Sequence, residues 1–338
     1  MKVIKTEDAV GQVLCHDMTQ IIPGKYKDAR FRKGHIVTEE DIPVLLSMGK
    51  ENLYVWEMKE GILHENDAAE RMCALCISDG MTKSEVKEGK IEIRSSVDGL
   101  FVVDTNKLNA INSIDELMIA TIHGNTLVKP GDKLCGTRVI PLVIDEKKLE
   151  QAEEIAAGKP ILSVLPLKLK KAGIITTGSE VFHGRIEDTF TPVVKNKLAN
   201  VGIETVKHVT LDDGMENIIS AINDMRTAGV DLIICTGGMS VDPDDNTPGA
   251  IKKAGAEIVT YGAPVLPGAM FLLGYFGDMP IMGLPGCVMY AKATIFDMVL
   301  PRIAAGVKMT KKDFVEMGEG GLCLSCESCH FPNCGYGK

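Results

Sequence analysis

Three short loops rich in glycine and hydroxyl residues are the most chemically pointed parts of this chain: Thr176-Thr177-Gly178-Ser179-Glu180, Thr236-Gly237-Gly238-Met239-Ser240 and Gly283-Leu284-Pro285-Gly286. Glycine lets backbone amides approach a ligand with no side chain between, and amides unpaired at a helix start donate to anions alongside neighbouring hydroxyls. Thr177, Gly178, Ser179, Gly237, Gly238, Ser240, Pro285 and Gly286 are therefore candidate contacts for an anionic, phosphorylated small molecule. Acids flank the same loops, Glu180 and Asp188 near the first and Asp242, Asp244 and Asp245 just beyond the second. Carboxylates beside a phosphate can hold Mg²⁺, which bridges to phosphate oxygens. The bland alternatives are glycines that only make tight strand-to-helix turns and loop acids that are solvated or stabilise a turn. Three such loops on one sheet edge favour the ligand.

A second constellation stands in the C-terminal tail, where Cys323-x-x-Cys326-x-x-Cys329-His330-x-x-x-Cys334 has metal-ligand spacing. Consecutive Cys-x-x-Cys steps suit an iron-sulfur cluster, and zinc accepts the same ligands. The alternative is a flexible thiol tail. Cys73-x-x-Cys76 differs, because its spacing puts both thiols on one helix face beside Met72 and Ile77, where buried core cysteine is the commoner case. His183, His208 and the other scattered histidines show no ligand spacing.

These groups need elements to position them. Residues 172–176, 204–210 and 231–236 are short apolar or β-branched runs separated by helix-length segments. In those segments Val194, Leu198 and Val201, and then Ile218, Ile222 and Met225, recur at helical spacing. Strands alternating with helices imply right-handed βαβ units and a parallel sheet. Thr191-Pro192 and Thr247-Pro248 read as N-cap plus first helical residue. A hairpin-like stretch, 269–282, turns at Gly277-Asp278, and Val288, Ala291, Ile295 and Met298 mark a closing helix. After Gly306 no core-forming periodicity is visible.

Upstream, residues 39–48, 67–77 and 145–157 read as helices, with strand character at 10–18, 53–56 and 90–143 and a turn at Ile21-Ile22-Pro23-Gly24. The expected organisation is a mixed, partly β-rich domain over 1–165, a three-layer α/β parallel-sheet domain over 166–306 and a Cys-rich tail over 307–338. A length of 338 residues fits two cores. The net charge of -9 argues against general affinity for nucleic acid or anionic membranes. The N-terminus lacks the apolar core of a signal peptide and no stretch is long enough to span a bilayer, so a cytoplasmic protein with ten reduced cysteines is expected.

In their order, the loops resemble the molybdopterin-binding domain shared by the MoeA/gephyrin and MogA/MoaB families of molybdenum-cofactor biosynthesis. Thr177-Gly178-Ser179-Glu180 is similar to the families' Thr-Gly-Asp-Glu. Thr236-Gly237-Gly238 followed by Asp245, Thr247-Pro248 and Ala250 resembles the MogA-type pattern, and Gly237-Gly238-Met239-Ser240-Val241 the Gly-Gly-Val-Ser-Val of MoeA. Pro267-Gly268 and Gly283-Leu284-Pro285-Gly286 match MoeA elements. The likeness covers 166–306; upstream it is limited to Ser96-Val97-Asp98-Gly99-Leu100-Phe101, similar to a MoeA element whose aspartate lies at the active site. Ser179 replaces an acidic residue, Pro243 stands where MoeA has Gly-Asp, and Cys287-Val288 replaces Asn-Pro.

The resemblance implies that the crevice handles molybdopterin or its adenylylated form, with molybdate as a second substrate. Glu180, Asp188, Asp245 and Asp98 would then position Mg²⁺ and molybdate for a molybdotransferase. The three replacements favour a rival, a non-catalytic carrier or sensor of the cofactor whose cysteine tail docks or responds to redox state. A nucleotide-processing enzyme on the same fold is a third reading. Expected partners are other cofactor-biosynthesis proteins or molybdoenzymes, and a further copy of the chain in a homo-oligomer.

Overall fold

The computed structural model describes residues 2–22, 26–55, 60–240 and 245–338. Pro23, Gly24, Trp56, Val241, Asp242, Pro243 and Asp244, all used above, lie outside the described residues. The chain divides into two compact units, one comprising 1–96, 103–122 and 131–163 and the other 97–102, 123–130 and 164–338.

The first unit is mixed. A four-stranded antiparallel sheet joins Met81–Lys83, Lys90–Ser95, Lys133–Val139 and Leu117–Thr121. Helix Glu65–Cys76 buries Met72, Cys73 and Cys76, so the Cys-x-x-Cys pair here is core. Its start is capped by His64, two residues before the expected boundary, whose ring accepts from Asn66 N at 3.1 Å. Helix Glu146–Ala156 is capped by Asp145, which accepts from Lys147 N at 3.0 Å, and ends on Ala157 in the left-handed conformation. Residues 10–17 contribute only isolated bridges, and the strand there is Met18–Ile22, paired with Tyr26–Phe31.

In the second unit six strands form one sheet: β1 (Lys171–Thr177), β2 (Glu204–Leu211), β3 (Leu232–Thr236), β4 (Glu257–Tyr261), β5 (Leu272–Phe276) and β6 (Met279–Leu284). Their order is β2-β1-β3-β6-β5-β4. Neighbours β2, β1, β3 and β6 run parallel, as the alternation of strands and helices predicts. The sheet is nevertheless mixed, because the hairpin turning at Gly277-Asp278 makes β5 antiparallel to both β6 and β4.

Strand alternation assigns each side chain to a layer. Ile174, Ile234, Met282 and Leu284 face one core, completed by Val194 and Leu198 of α1 (Phe190–Asn200) and by Phe296, Val299 and Leu300 of α4 (Ile295–Ala304). Ile175, Ile233, Cys235 and Ile281 face the other, against Ile218, Ile222 and Met225 of α2 (Met215–Thr227) and Ile251 of α3 (Thr247–Lys253). Strand β3 is buried at every position, the mark of a strand covered on both faces. The tail is more integrated than its lack of periodicity suggests, since Met309, Phe314 and Tyr336 join the first of these cores and the Tyr336 hydroxyl donates to Pro267 O at 3.2 Å. No helix among the described residues is long and apolar enough to cross a membrane.

Candidate functional site

The parallel strands β1, β3 and β6 are neighbours, so their C-terminal ends bring all three loops to one edge. A crevice of about 400 Å³ opens there. Thr177, Gly237, Gly238, Ser240, Pro285 and Gly286 line it, and so do Glu180, Asp188 and Asp245. Gly178, Ser179 and Asp98 are not among its lining residues, and Asp98 is an exposed residue ahead of strand Gly99–Val103.

The first loop is occupied from within. Ser179 donates from both its backbone N–H and its hydroxyl to Asp213 Oδ2, each at 2.9 Å, so the amide expected to meet an anion already has a carboxylate partner. Asp213 lies in the turn after β2 and is also tied to the second loop, because Asn246 Nδ2 donates to Asp213 O at 3.0 Å. An acid thus sits beside position 179 in space although the sequence has serine there. Sequence reading missed Asp213, as nothing in its spacing marks it.

The glycines of the second loop serve a protein-protein approach. Gly237 and Gly238 have φ of +84° and +55°, and a Cβ on Gly237 would lie 2.1 Å from Thr177 O. One on Gly238 would lie 2.8 Å from Thr247 Oγ1. At Gly237 the close approach that demands glycine is between the first and second loops, and at Gly238 it is to the start of α3. Thr247 is the first residue of α3, one place later than the N-cap position predicted, and its hydroxyl donates to Gly237 O at 2.9 Å. Tyr261 O–H reaches Met239 O and Ser240 O at 3.2 Å each, fixing the far side of the loop.

Asp188 does structural duty. Its carboxylate accepts from Phe190 N at 3.0 Å, Thr191 N at 2.9 Å and Thr191 Oγ1 at 2.6 Å, and so caps α1 in place of the predicted Thr191. Burial alone would raise this carboxyl, but the donors from Thr191 and Phe190 outweigh it and hold it below the usual range. His208 was unassigned from sequence, yet its Nε2 lies 3.0 Å from Thr176 Oγ1 and 3.3 Å from Thr191 Oγ1. Burial, helped by the charge of Lys195, lowers its pKa against the opposing pull of Asp188.

The lining is one-sided in charge: Glu180, Glu187, Asp188 and Asp245 are acidic, and no Lys, Arg or His lines the crevice among the described residues. An anionic ligand must therefore rely on backbone or hydroxyl donors, or arrive with a cation. Glu180 and Asp245 both line this crevice, and Mg²⁺ typically takes one or two carboxylates and completes its shell with phosphate oxygens and water. The tail is different. Cys323 is half-buried, Cys326, Cys329 and Cys334 are exposed, and no group of three or more His, Cys, Asp or Glu among the described residues is placed to hold a metal.

The second unit is thus a three-layer α/β domain with a glycine-lined crevice at the carboxyl edge of its sheet. Residues 173–305 match the family described as a probable molybdopterin binding domain. Residues 3–57 match a domain of unknown function. A CinA-like protein of Mycobacterium sp. (strain JLS) is 34% identical over 91 residues, 26% of this chain and 21% of the relative. The CinA-like protein of Mycobacterium tuberculosis (strain ATCC 25618 / H37Rv) is 35% identical over the same length. The chain thus spans about a fifth of the length of these curated relatives. Among solved structures, MoaB from Thermus thermophilus aligns at 21% identity and a TM-score of 0.33, over 41% of this chain and 98% of that one. The MoeA protein of Pyrococcus horikoshii aligns at 15% and 0.34, over 72% and 80%.

Proposed function

We propose that the second unit binds molybdopterin, or its adenylylated form, in this crevice, and that the protein serves molybdenum-cofactor biosynthesis as a carrier or sensor. The observation that carries the reading is the meeting of Thr177, Gly237, Gly238, Ser240, Pro285 and Gly286 around one cavity at a sheet's carboxyl edge. Residues 166–306 hold all of these contacts. Mg²⁺ held by Glu180 and Asp245 would neutralise the acidic lining and bridge to the ligand phosphate. The carrier reading is favoured over molybdate insertion by three of the candidate residues: Asp188 caps a helix with three of its acceptor positions, Ser179 is bound to Asp213, and Asp98 lies outside the crevice lining. The tail thiols enter as a separate docking or metal-binding element, which would have to draw four separated cysteines together. A cytoplasmic setting, with cofactor-biosynthesis proteins or molybdoenzymes as partners, follows from the same reading.

Mass spectrometry of small molecules released from the full chain purified without oxygen tests it. Pterin oxidation products are expected, and their absence together with no uptake of added molybdopterin would refute binding. Incubating the loaded protein with Mg²⁺ and molybdate then separates the roles. No release of adenylate fits a carrier, whereas molybdate-dependent release would make it a transferase.

A further inference from the structure

We infer that the crevice's threonine and carboxylate wall presents hydrogen-bond acceptors only, so that the ligand group seated against it must be a donor, such as an amino group or ring N–H. This rests on the pterin reading above for the identity of the ligand, but the wall's polarity follows from the proton count alone. Thr191 Oγ1 lies 2.6 Å from Asp188 Oδ2, and an ionised carboxylate only accepts, so the single hydroxyl proton of Thr191 is spent there. Thr176 Oγ1 is 2.9 Å from Thr191 Oγ1 and must therefore donate to it. Thr236 Oγ1, at 3.3 Å from Thr176, then donates in turn. The chain runs one way, from Thr236 through Thr176 and Thr191 to Asp188.

His208 closes the count. Its Nε2 faces Thr176 and Thr191, whose protons are both committed, so only an Nε2–H can approach them. The opposite tautomer would take the Thr176 proton and leave the 2.9 Å hydroxyl pair with no hydrogen between its oxygens. A second, looser chain has the same sense. Thr247 spends its proton on Gly237 O, so Thr177, 3.4 Å away, donates to Thr247. Thr176 accepts from Thr236 and from His208 Nε2–H and so has neither a proton nor a lone pair to spare, which leaves the lone pairs of Thr177, a crevice-lining residue, facing the ligand. Asp188 beside them accepts as well. A phosphate or carbonyl oxygen placed here would meet lone pairs, whereas a ring amino edge would be accepted. That leaves the anionic end to the second loop, where the amides of Gly238, Met239 and Ser240 have no backbone acceptor among the described residues. The ligand is thereby oriented, with its donor edge against Thr177 and Asp188 and its anion toward Ser240.

Two measurements on the full chain test this. Nitrogen-15 NMR of histidine-labelled protein should show neutral His208 protonated on Nε2; a proton on Nδ1 would overturn the chain. Binding of pterin-6-ylmethyl phosphate should then be about tenfold tighter than that of its 2-dimethylamino analogue, the effect of one lost hydrogen bond with its acceptor left unpaired. Thr191→Val frees the Thr176 proton to turn toward the crevice and should erase that preference, while Thr191→Ser keeps the relay and should keep it. Equal affinity for both compounds in the unsubstituted protein, or the same preference in Thr191→Val, would refute the assignment. Binding of neither compound despite an Nε2–H tautomer would sink the pterin reading and the ligand half of the inference, leaving only the internal chain.

Discussion

Gly237→Ala offers the sharpest test of how the loops are held together. Its added methyl would sit 2.1 Å from a backbone oxygen, Thr177 O, far inside any real contact, and the residue has φ of +84°. Placing alanine in a left-handed conformation costs about 1–2 kcal/mol before any clash is counted. The clash cannot be relieved by turning a side chain, because Thr177 ends the buried strand β1 and the whole second loop would have to move. A total loss of about 2–4 kcal/mol follows, lowering the midpoint of the second unit by roughly 5–15 °C. Gly286→Ala is the matched control, since nothing lies within 4 Å of its Cβ position and its φ is not positive. Its stability should change by less than about 0.5 kcal/mol. Thermal and urea unfolding of both variants, followed by circular dichroism and hydrogen exchange on β1 and β3, supplies the readout. A Gly237→Ala midpoint equal to that of Gly286→Ala would refute the packing argument.

Asp188→Ala removes a helix cap and should cost about 1–2 kcal/mol at neutral pH. Because the folded pKa of Asp188 is depressed, its contribution is present above the unfolded carboxyl value and fades as pH falls through the folded one, so the variant and parent should converge in stability in acid. Asp245→Asn keeps the volume but removes a charge suited to Mg²⁺. Titration calorimetry should show ligand affinity losing most of its Mg²⁺ dependence, and an unchanged dependence would count against Asp245 as a cation contact. For the tail, metal analysis of anaerobically reconstituted protein and thiol titration belong together. Four titratable thiols with no bound iron or zinc would exclude a metal centre, whereas one metal centre lost on serine substitution of two of Cys323, Cys326, Cys329 and Cys334 would establish it, with the second unit remaining folded.

The gathering of the three loops was legible because it depends on two robust signals, apolar runs long enough to be strands and glycines directly after them. The flanking helices were legible from the spacing of residues such as Ile218, Ile222 and Met225. What stayed hidden depends on the third dimension. Asp213 and His208 matter through neighbours 34 and 32 residues away, Ser179 and Thr176, and carry no local pattern. Asp188 looked like a metal ligand because a carboxylate's chemistry is the same whether it caps a helix or holds a cation; only its three donors distinguish the two. Strand β4 was missed since its half-exposed edge position relaxes the demand for apolar residues. Phe314 and Tyr336 reach the core singly, and single anchors leave no period to detect.

The acidic lining of the crevice also bears on how fast a ligand can enter. Most anion sites draw their ligand in through a positive field, so that added salt slows capture. Here an approaching phosphate ester meets Glu180, Glu187, Asp188 and Asp245 with no basic side chain lining the same cavity among the described residues. Screening such repulsion should quicken encounter as ionic strength rises, and divalent cations should quicken it more than their ionic strength alone accounts for. Association kinetics would thus run opposite to the usual salt trend, making the entry of an anionic ligand respond to the free magnesium concentration.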